Sequence, residues 1–327
     1  MKLSVALCTD NGEAYLAGLL ESISRQTRPP DELVVFDDGS TDATNRILAT
    51  FSELAPFPVH VHTGHPVGPA RNFARAIAHC TGDLIALSDQ DDLWMPDRLA
   101  RAEEAIDGRA GAVMCFSDAE LIDAADRASK RLLWRSIGLR RRTLEAIPED
   151  ALAAMLRRSV VTGCTMTFHR SVLDIGLPFP PTRTLCHDRW LAMCAAATGR
   201  VVPLPVPLVA YRLHPGQVTG TGRLGRRGRP RRPWHGAHLR NGRRLGDGGL
   251  VDIRDEALLL RSRIERLRPT RIDTLDTLDE YLAFVELRAL LPTAPSRVPT
   301  VLGQALAGNY RRFATGWVGA GADLVRR

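Results

Sequence analysis

Short apolar runs alternate with segments of helical periodicity through the first third of the chain, and this alternation restricts the fold more than any other feature. Residues 3–8, 32–36, 58–62, 83–87 and 111–117 are β-type runs. Between the first two, Tyr15, Leu16, Leu19, Leu20 and Ile23 recur at helical spacing. Thr41 or Asp42 is placed to cap a helix carrying Ile47, Leu48 and Phe51, and further helices are expected from Pro69 to His79 and from Pro96 to Ile106. The order predicts an α/β architecture, a mostly parallel, Rossmann-like sheet flanked by helices, with ligands at the carboxyl ends of the strands.

Three polar turns fall at those ends: Thr9-Asp10-Asn11-Gly12, Asp37-Asp38-Gly39-Ser40-Thr41-Asp42 and Ser88-Asp89-Gln90-Asp91-Asp92. Adjacent carboxylates repel unless solvent or a cation neutralises them, so the third turn reads as a divalent-metal and ligand site, with an exposed acidic turn as the plain alternative. Asp37-Asp38-Gly39-Ser40 taken alone is a turn with a helix cap, and its pairing with a second acidic strand end shifts it toward ligand binding. No Gly-x-Gly-x-x-Gly follows the first strand and no Gly-Lys-Ser/Thr loop occurs. Dinucleotide cofactors and a P-loop are therefore disfavoured.

With 44% hydrophobic and 25% charged residues, the 327-residue chain has a soluble globular composition. Residues 1–8 read as a first strand rather than a secretory signal, and no apolar stretch approaches the roughly 20 residues that span a bilayer. Six cysteines are scattered without a Cys-x-x-Cys pair, which predicts reduced thiols in a cytoplasmic protein. The net charge of +7 is concentrated: no acidic residue lies between Arg189 and Gly246, where Arg223, Arg226, Arg227, Arg229, Arg231, Arg232, Arg240, Arg243 and Arg244 crowd together. A phosphate-bearing ligand, anionic lipid or plain solvent are the competing destinations of this stretch. Nucleic acid is disfavoured, because aromatic residues that stack on bases are nearly absent there.

Taken in order, the three turns, Gly68-Pro69-Ala70-Arg71-Asn72, Gly82-Asp83, Leu93-Trp94, His187-Asp188-Arg189-Trp190 and Tyr211-Arg212-Leu213-His214-Pro215-Gly216-Gln217 resemble family 2 glycosyltransferases of the GT-A type. The resemblance covers roughly residues 1–220 and is nearest to the bacterial rhamnosyltransferase-like subgroup. It implies an inverting, metal-dependent transfer of a sugar from a nucleotide-diphosphate donor to a hydroxyl acceptor in the synthesis of polysaccharides or related glycans. A deoxythymidine-diphosphate rhamnose donor leads, with uridine-diphosphate hexoses behind it.

By the same resemblance Asp89-Gln90-Asp91 is the Asp-x-Asp motif, with Asp89 toward the donor ribose or metal-bound water and Asp91 on an Mg²⁺ or Mn²⁺ ion. Asp92 orients its neighbours or caps the next helix. Thr9 and Asp37 or Asp38 hold the base and ribose, and Arg71 lies near the nucleotide or diphosphate. Asp188 is the catalytic base, following His187 at a helix start. His214 contacts the metal or diphosphate, although Leu213 and Pro215-Gly216 depart from the common form. Thr162-Gly163-Cys164-Thr165 resembles a small-residue segment near the acceptor, although a tight turn explains its glycine equally well, and Asp118 is a candidate either for supporting the site from behind or for the acceptor side, without a firm role. A nucleotidyltransferase and a non-catalytic sugar-nucleotide-binding protein are the competing readings.

These expectations divide the chain into a catalytic domain (1–220), an arginine- and glycine-rich loop or linker (221–250) and a helical extension (251–327), with helical patterns at 252–267, 272–291 and 298–312. The extension is expected to serve acceptor binding, homodimer contacts or peripheral attachment to the inner face of the cell membrane near a lipid-linked acceptor. Tyr310, Arg311, Arg312, Phe313 and Trp317 either form that amphipathic surface or pack as an ordinary helix.

Overall fold

The computed structural model describes residues 1–180, 186–217, 247–267, 272–291, 296–314 and 316–324. Strands and helices alternate as expected through β1 (Leu3–Thr9), α1 (Leu16–Ser24), β2 (Glu32–Asp37), α2 (Thr44–Leu54), β3 (Val59–Thr63), α3 (Pro69–His79) and β4 (Leu84–Asp89). There follow β5 (Leu93–Trp94), α4 (Arg98–Asp107), β6 (Ala112–Asp123), β7 (Ala128–Leu132), α5 (Leu133–Ser136), α6 (Arg141–Ala146), α7 (Ala151–Arg157), β8 (Met166–His169), α8 (Leu173–Gly176), α9 (His187–Thr198) and β9 (Arg200–Leu213). Five helices end the chain: α10 (Asp247–Ile264), α11 (Ile272–Ala289), α12 (Val298–Leu306), α13 (Asn309–Phe313) and α14 (Trp317–Leu324). The arginine-rich stretch expected to meet phosphate, lipid or solvent lies outside the described residues.

The strands form one sheet in the order β3-β2-β1-β4-β8-β6-β9-β5, with β7 paired to β6. β3, β2, β1 and β4 run parallel. β8 inserts antiparallel between β4 and β6, so the 111–117 run is not the next neighbour of β4. Register aligns the carboxyl ends: Thr9 lies opposite Asp37, and Cys8 opposite Asp89.

The continuous apolar runs are explained by burial of both faces of the sheet. Leu3, Val5, Leu7, Leu33, Val35, Leu84 and Ala86 point into the core under α1 and α4. Ala6, Val34, Phe36, Ile85 and Leu87 point into the opposite core with Phe73 and Ile77 of α3 and Trp190 and Leu191 of α9. Leu260 and Ile264 of α10 and Leu278, Tyr281 and Val285 of α11 belong to that same second core. The last helices are thus packed into the body that carries the sheet.

Their packing has a polar centre. Buried Asp323 of α14 accepts two bonds from Arg288 (2.6 and 3.0 Å) and one from the Tyr310 hydroxyl (2.6 Å). Tyr310 and Phe313 are buried, so these two aromatics serve packing rather than a lipid-facing surface. Replacing Asp323 by Ala removes the buried carboxylate that takes two bonds from partly buried Arg288 and one from Tyr310, a change worth roughly 3–5 kcal/mol. D323A is expected to lose stability on that scale in denaturant unfolding, while Arg311→Ala, at an exposed residue, is expected to stay within about 0.5 kcal/mol.

Candidate active site

All three turns meet at the carboxyl edge of the parallel strands, and each is fixed by a specific bond. Thr9 Oγ1 donates to Asp37 Oδ2 at 2.7 Å. Asp37 also accepts from the amides of Gly39 (3.2 Å) and Ser40 (2.8 Å), which folds its own turn around the carboxylate. Asp38 accepts from the amides of Val67 and Gly68, both at 2.8 Å, and so anchors the loop entering α3. The two carboxylates expected at the base and ribose are thus also the organisers of the loops on either side. Arg71, in the first turn of α3, is exposed.

Gln90 ties the first and third turns. Its side chain accepts from the Asp10 amide and donates to the Asp10 carbonyl, both at 2.8 Å. A Cβ on Gly12 would overlap the Gln90 amide, which explains the glycine at that position.

Asp91 and His214 are brought together by strand pairing across 123 residues. β5 and β9 pair antiparallel with Leu93 opposite Ala210. Beyond that register the Arg212 amide donates to Asp92 Oδ1 (2.9 Å) and Arg212 Nε to the Asp91 carbonyl (2.6 Å). His214 Nε2 then lies 2.8 Å from Asp91 Oδ2, both side chains being partly exposed to the crevice. A carboxylate oxygen beside an imidazole nitrogen is a donor set that fits a hard to borderline divalent cation such as Mg²⁺ or Mn²⁺. Asp92 is not the cap of α4, since Asp97 precedes that helix and Asp92 is fully buried against β9.

Asp188 stands in the first turn of α9, where the Arg189 amide donates to its Oδ1 at 2.6 Å. Burial pushes its carboxyl up to about 6 against the hydrogen bonds from the Arg189 and Gly163 amides. Asp89 is pushed up to about 7, first by burial and then by the charges of Asp91 and Asp188. The effect of the Asp188 charge on Asp89 relates the acidic end of β4 to the start of α9. His187 faces away from this charge and stacks on Phe73, with ring centroids 4.0 Å apart. Burial lowers its imidazole to about 3, so it is neutral throughout the ordinary pH range.

Sequence reasoning missed Arg98. It is 2% exposed and lies over the Trp94 ring, with its Cζ 3.5 Å from the centroid. Its Nη2 donates to the carbonyls of Leu87 (2.9 Å) and Cys164 (2.7 Å), directly beneath the aspartates. The available signal was an arginine on the buried face of α4 together with Leu99, Ala102, Ala105 and Ile106. Asp118, expected on the acceptor side, is instead buried and accepts from the amides of Ala119 (2.8 Å) and Trp134 (2.9 Å). Gly163 serves protein packing: a Cβ there would lie 2.8 Å from His187 Nε2 and 3.5 Å from Asp188 Cβ.

The family model described as glycosyl transferase family 2 matches residues 4–172. The chain belongs to glycosyl transferase family 2. An uncharacterized glycosyltransferase of Nostoc sp. is 26% identical over 220 residues, 65% of this chain and 65% of that protein, so the chain spans less than two thirds of that relative's length. The structure of TarS residues 1–349 from S. aureus in complex with UDP-GlcNAc superposes with a TM-score of 0.58 at 19% identity, covering 94% of this chain and 76% of that one. The mannosyltransferase PcManGT from Pyrobaculum calidifontis, in complex with GDP-Man and Mn²⁺, gives a TM-score of 0.50 at 18% identity, covering 99% and 86%. These two likenesses establish the GT-A fold of this family 2 member.

Gly163→Ala is expected to displace the His187 ring and to cost about 1–3 kcal/mol in urea unfolding. Gly303→Ala, on α12 with nothing within 4 Å of the added Cβ, is expected to be neutral or to gain up to about 1 kcal/mol.

Proposed function

We propose that this family 2 protein is an inverting glycosyltransferase that moves a sugar from a nucleotide diphosphate to a hydroxyl acceptor, with Asp188 as the base. The observation that carries the reading is a half-buried carboxylate in the first turn of α9, raised to about 6, whose charge in turn raises Asp89 at the end of β4. A base poised near the working pH both exists ionised and accepts a proton with useful driving force. In the transfer, the acceptor oxygen attacks the anomeric carbon from the face opposite the leaving group while its proton passes to the Asp188 carboxylate. The bond from the anomeric carbon to the diphosphate breaks, and its electron pair stays on the diphosphate oxygen.

Thr9, Asp37 and Asp38 are assigned to the base and ribose, Asp89 to the donor and Arg71 to the diphosphate. Their loops are already fixed by internal hydrogen bonds, which lowers the entropy that donor binding must remove. A divalent cation held by Asp91 and His214 would offset the charge developing on the leaving diphosphate. The imidazole ligand favours Mn²⁺ within this set.

The donor assigned is deoxythymidine-diphosphate rhamnose, with uridine-diphosphate hexoses as the alternative; the relatives named above were crystallised with UDP-GlcNAc and GDP-Man. Among the described residues no helix is long and apolar enough to cross a membrane. Exposed Leu302, Leu306 and Trp317 on the last helices favour peripheral contact with a membrane that presents a lipid-linked acceptor. The division into a catalytic domain to residue 220, a linker and a helical extension, and its use in dimer contacts, belong to the same proposal.

A thermal-shift panel of nucleotide-diphosphate sugars with and without Mn²⁺ tests donor binding, since a ligand specific for the native state raises its melting temperature. No stabilisation by any donor with metal present refutes the reading. Asp188→Asn is expected to lower kcat by roughly 10²–10⁴-fold while donor-induced stabilisation persists; unchanged turnover removes Asp188 as the base. For the wild type, kcat/KM is expected to fall about tenfold per pH unit below about pH 6, where Asp188 becomes protonated. A flat profile between pH 5 and pH 7 would contradict that role.

A further inference from the structure

Asp92 and Cys164, two buried residues beside Asp89, are left unused by that mechanism. Cys164 sits in the tight turn Gly163–Thr165 and is fully buried. Its sulfur, a carboxylate oxygen of Asp89 and one of Asp92 all lie within 4.8 Å of one another. Asp92 is 0% exposed, and while its Oδ1 takes the Arg212 amide, its Oδ2 receives no N–H or O–H donor and lies toward the Cys164 thiol. Arg98 is the adjacent cation, and its Nη1 also has no hydrogen-bond partner.

Burial and neighbouring carboxylate charges raise Asp89 and Asp92, so protons keep this cluster near neutrality and a cation would have to displace them. Two carboxylates and a thiolate, set against Arg98 and one divalent cation, are neutral. A tetrahedral Zn²⁺ with sulfur at about 2.3 Å and oxygens at about 2.0–2.2 Å separates its ligand atoms by about 3.5 Å, within reach of small rotations from the observed spacing. Asp89 is only partly buried, which leaves an open coordination position and an entry path from the crevice.

We propose that Asp89, Asp92 and Cys164 form a soft divalent-cation site, taking Zn²⁺ or Cd²⁺ in preference to Mg²⁺, whose occupation withdraws Asp89 from the donor and inhibits transfer. The site shares no ligand with the Asp91 and His214 pair. Thiolate is the discriminating ligand, because sulfur binds borderline and soft cations far better than hard ones. The thiol proton leaves to solvent as the cation binds. Inhibition rests on the glycosyltransferase reading; cation binding does not.

The test is a Cd²⁺ titration of the full chain in excess Mg²⁺, reading the ultraviolet absorption of the cadmium–thiolate bond. Wild type is expected to bind one equivalent with that absorption. Cys164→Ser, which keeps the side-chain volume and a hydrogen donor for Asp92, is expected to lose it, as is Cys164→Ala, the second variant should the serine perturb folding. Absorption undiminished in both variants assigns the signal to other cysteines and overturns the site, as does its absence in the wild type. In donor-transfer assays, Zn²⁺ is expected to inhibit wild type, and C164S, with each curve normalised to its own rate without Zn²⁺, is expected to require at least about tenfold more Zn²⁺; equal inhibition of both overturns the inhibitory role. A Cd²⁺ band that depends on Cys164 in a protein that transfers no sugar sustains the cation site while refuting the glycosyltransferase reading.

Discussion

The buried guanidinium of Arg98 is the interaction on which the site depends. Four aspartates, Asp89, Asp91, Asp92 and Asp188, face one another around the end of β4, and two unit charges 4 Å apart interact by about 4 kcal/mol near a protein surface. Arg98 supplies the permanent counter-charge from below, held over Trp94 and between the Leu87 and Cys164 carbonyls. Burial lowers even this guanidinium to about 10, yet it remains charged at neutral pH. The cost left over appears in the aspartates: burial first, and then one another's charges, raise Asp89 and Asp92. A second arginine, Arg212, binds the same turn from β9 through its amide and Nε.

The parallel half of the fold was legible because β1, β2 and β4 are buried on both faces and so read as nearly unbroken apolar runs, each ending in a polar turn. Asp89 and Asp91 stood out in the sequence as carboxylates at the end of an apolar strand, whereas Asp188 stood out only through the family resemblance, because an acidic residue in the first turn of a helix is ordinary. What escaped were the features set by pairing between distant segments. Nothing local in Met166–His169 says that it inserts between β4 and β6. Arg98 escaped because an arginine on a helix is usually solvated, and only its apolar companions on α4 betray it. Nor does anything local show that the missing side chain of Gly163 makes room for His187.

The proposed base is coupled to the end of the chain through packing. α9 presents Asp188 at one end and buries Trp190, Leu191 and Met193 along its length, in the same core as α10 and α11. Its first turn therefore rests on residues more than sixty positions downstream, and the polar knot at Asp323 stabilises the helices that support it. Substitutions in the last helices can alter turnover without approaching the crevice.

The amide clamp between Gln90 and Asp10 makes the loops after β1 and β4 a single mechanical unit. A substitution that re-shapes the first loop is transmitted through Gln90 to the aspartates on either side of it in sequence. Under the proposed function, base preference and the geometry at the sugar are therefore coupled, and a new donor specificity calls for changes in both loops together.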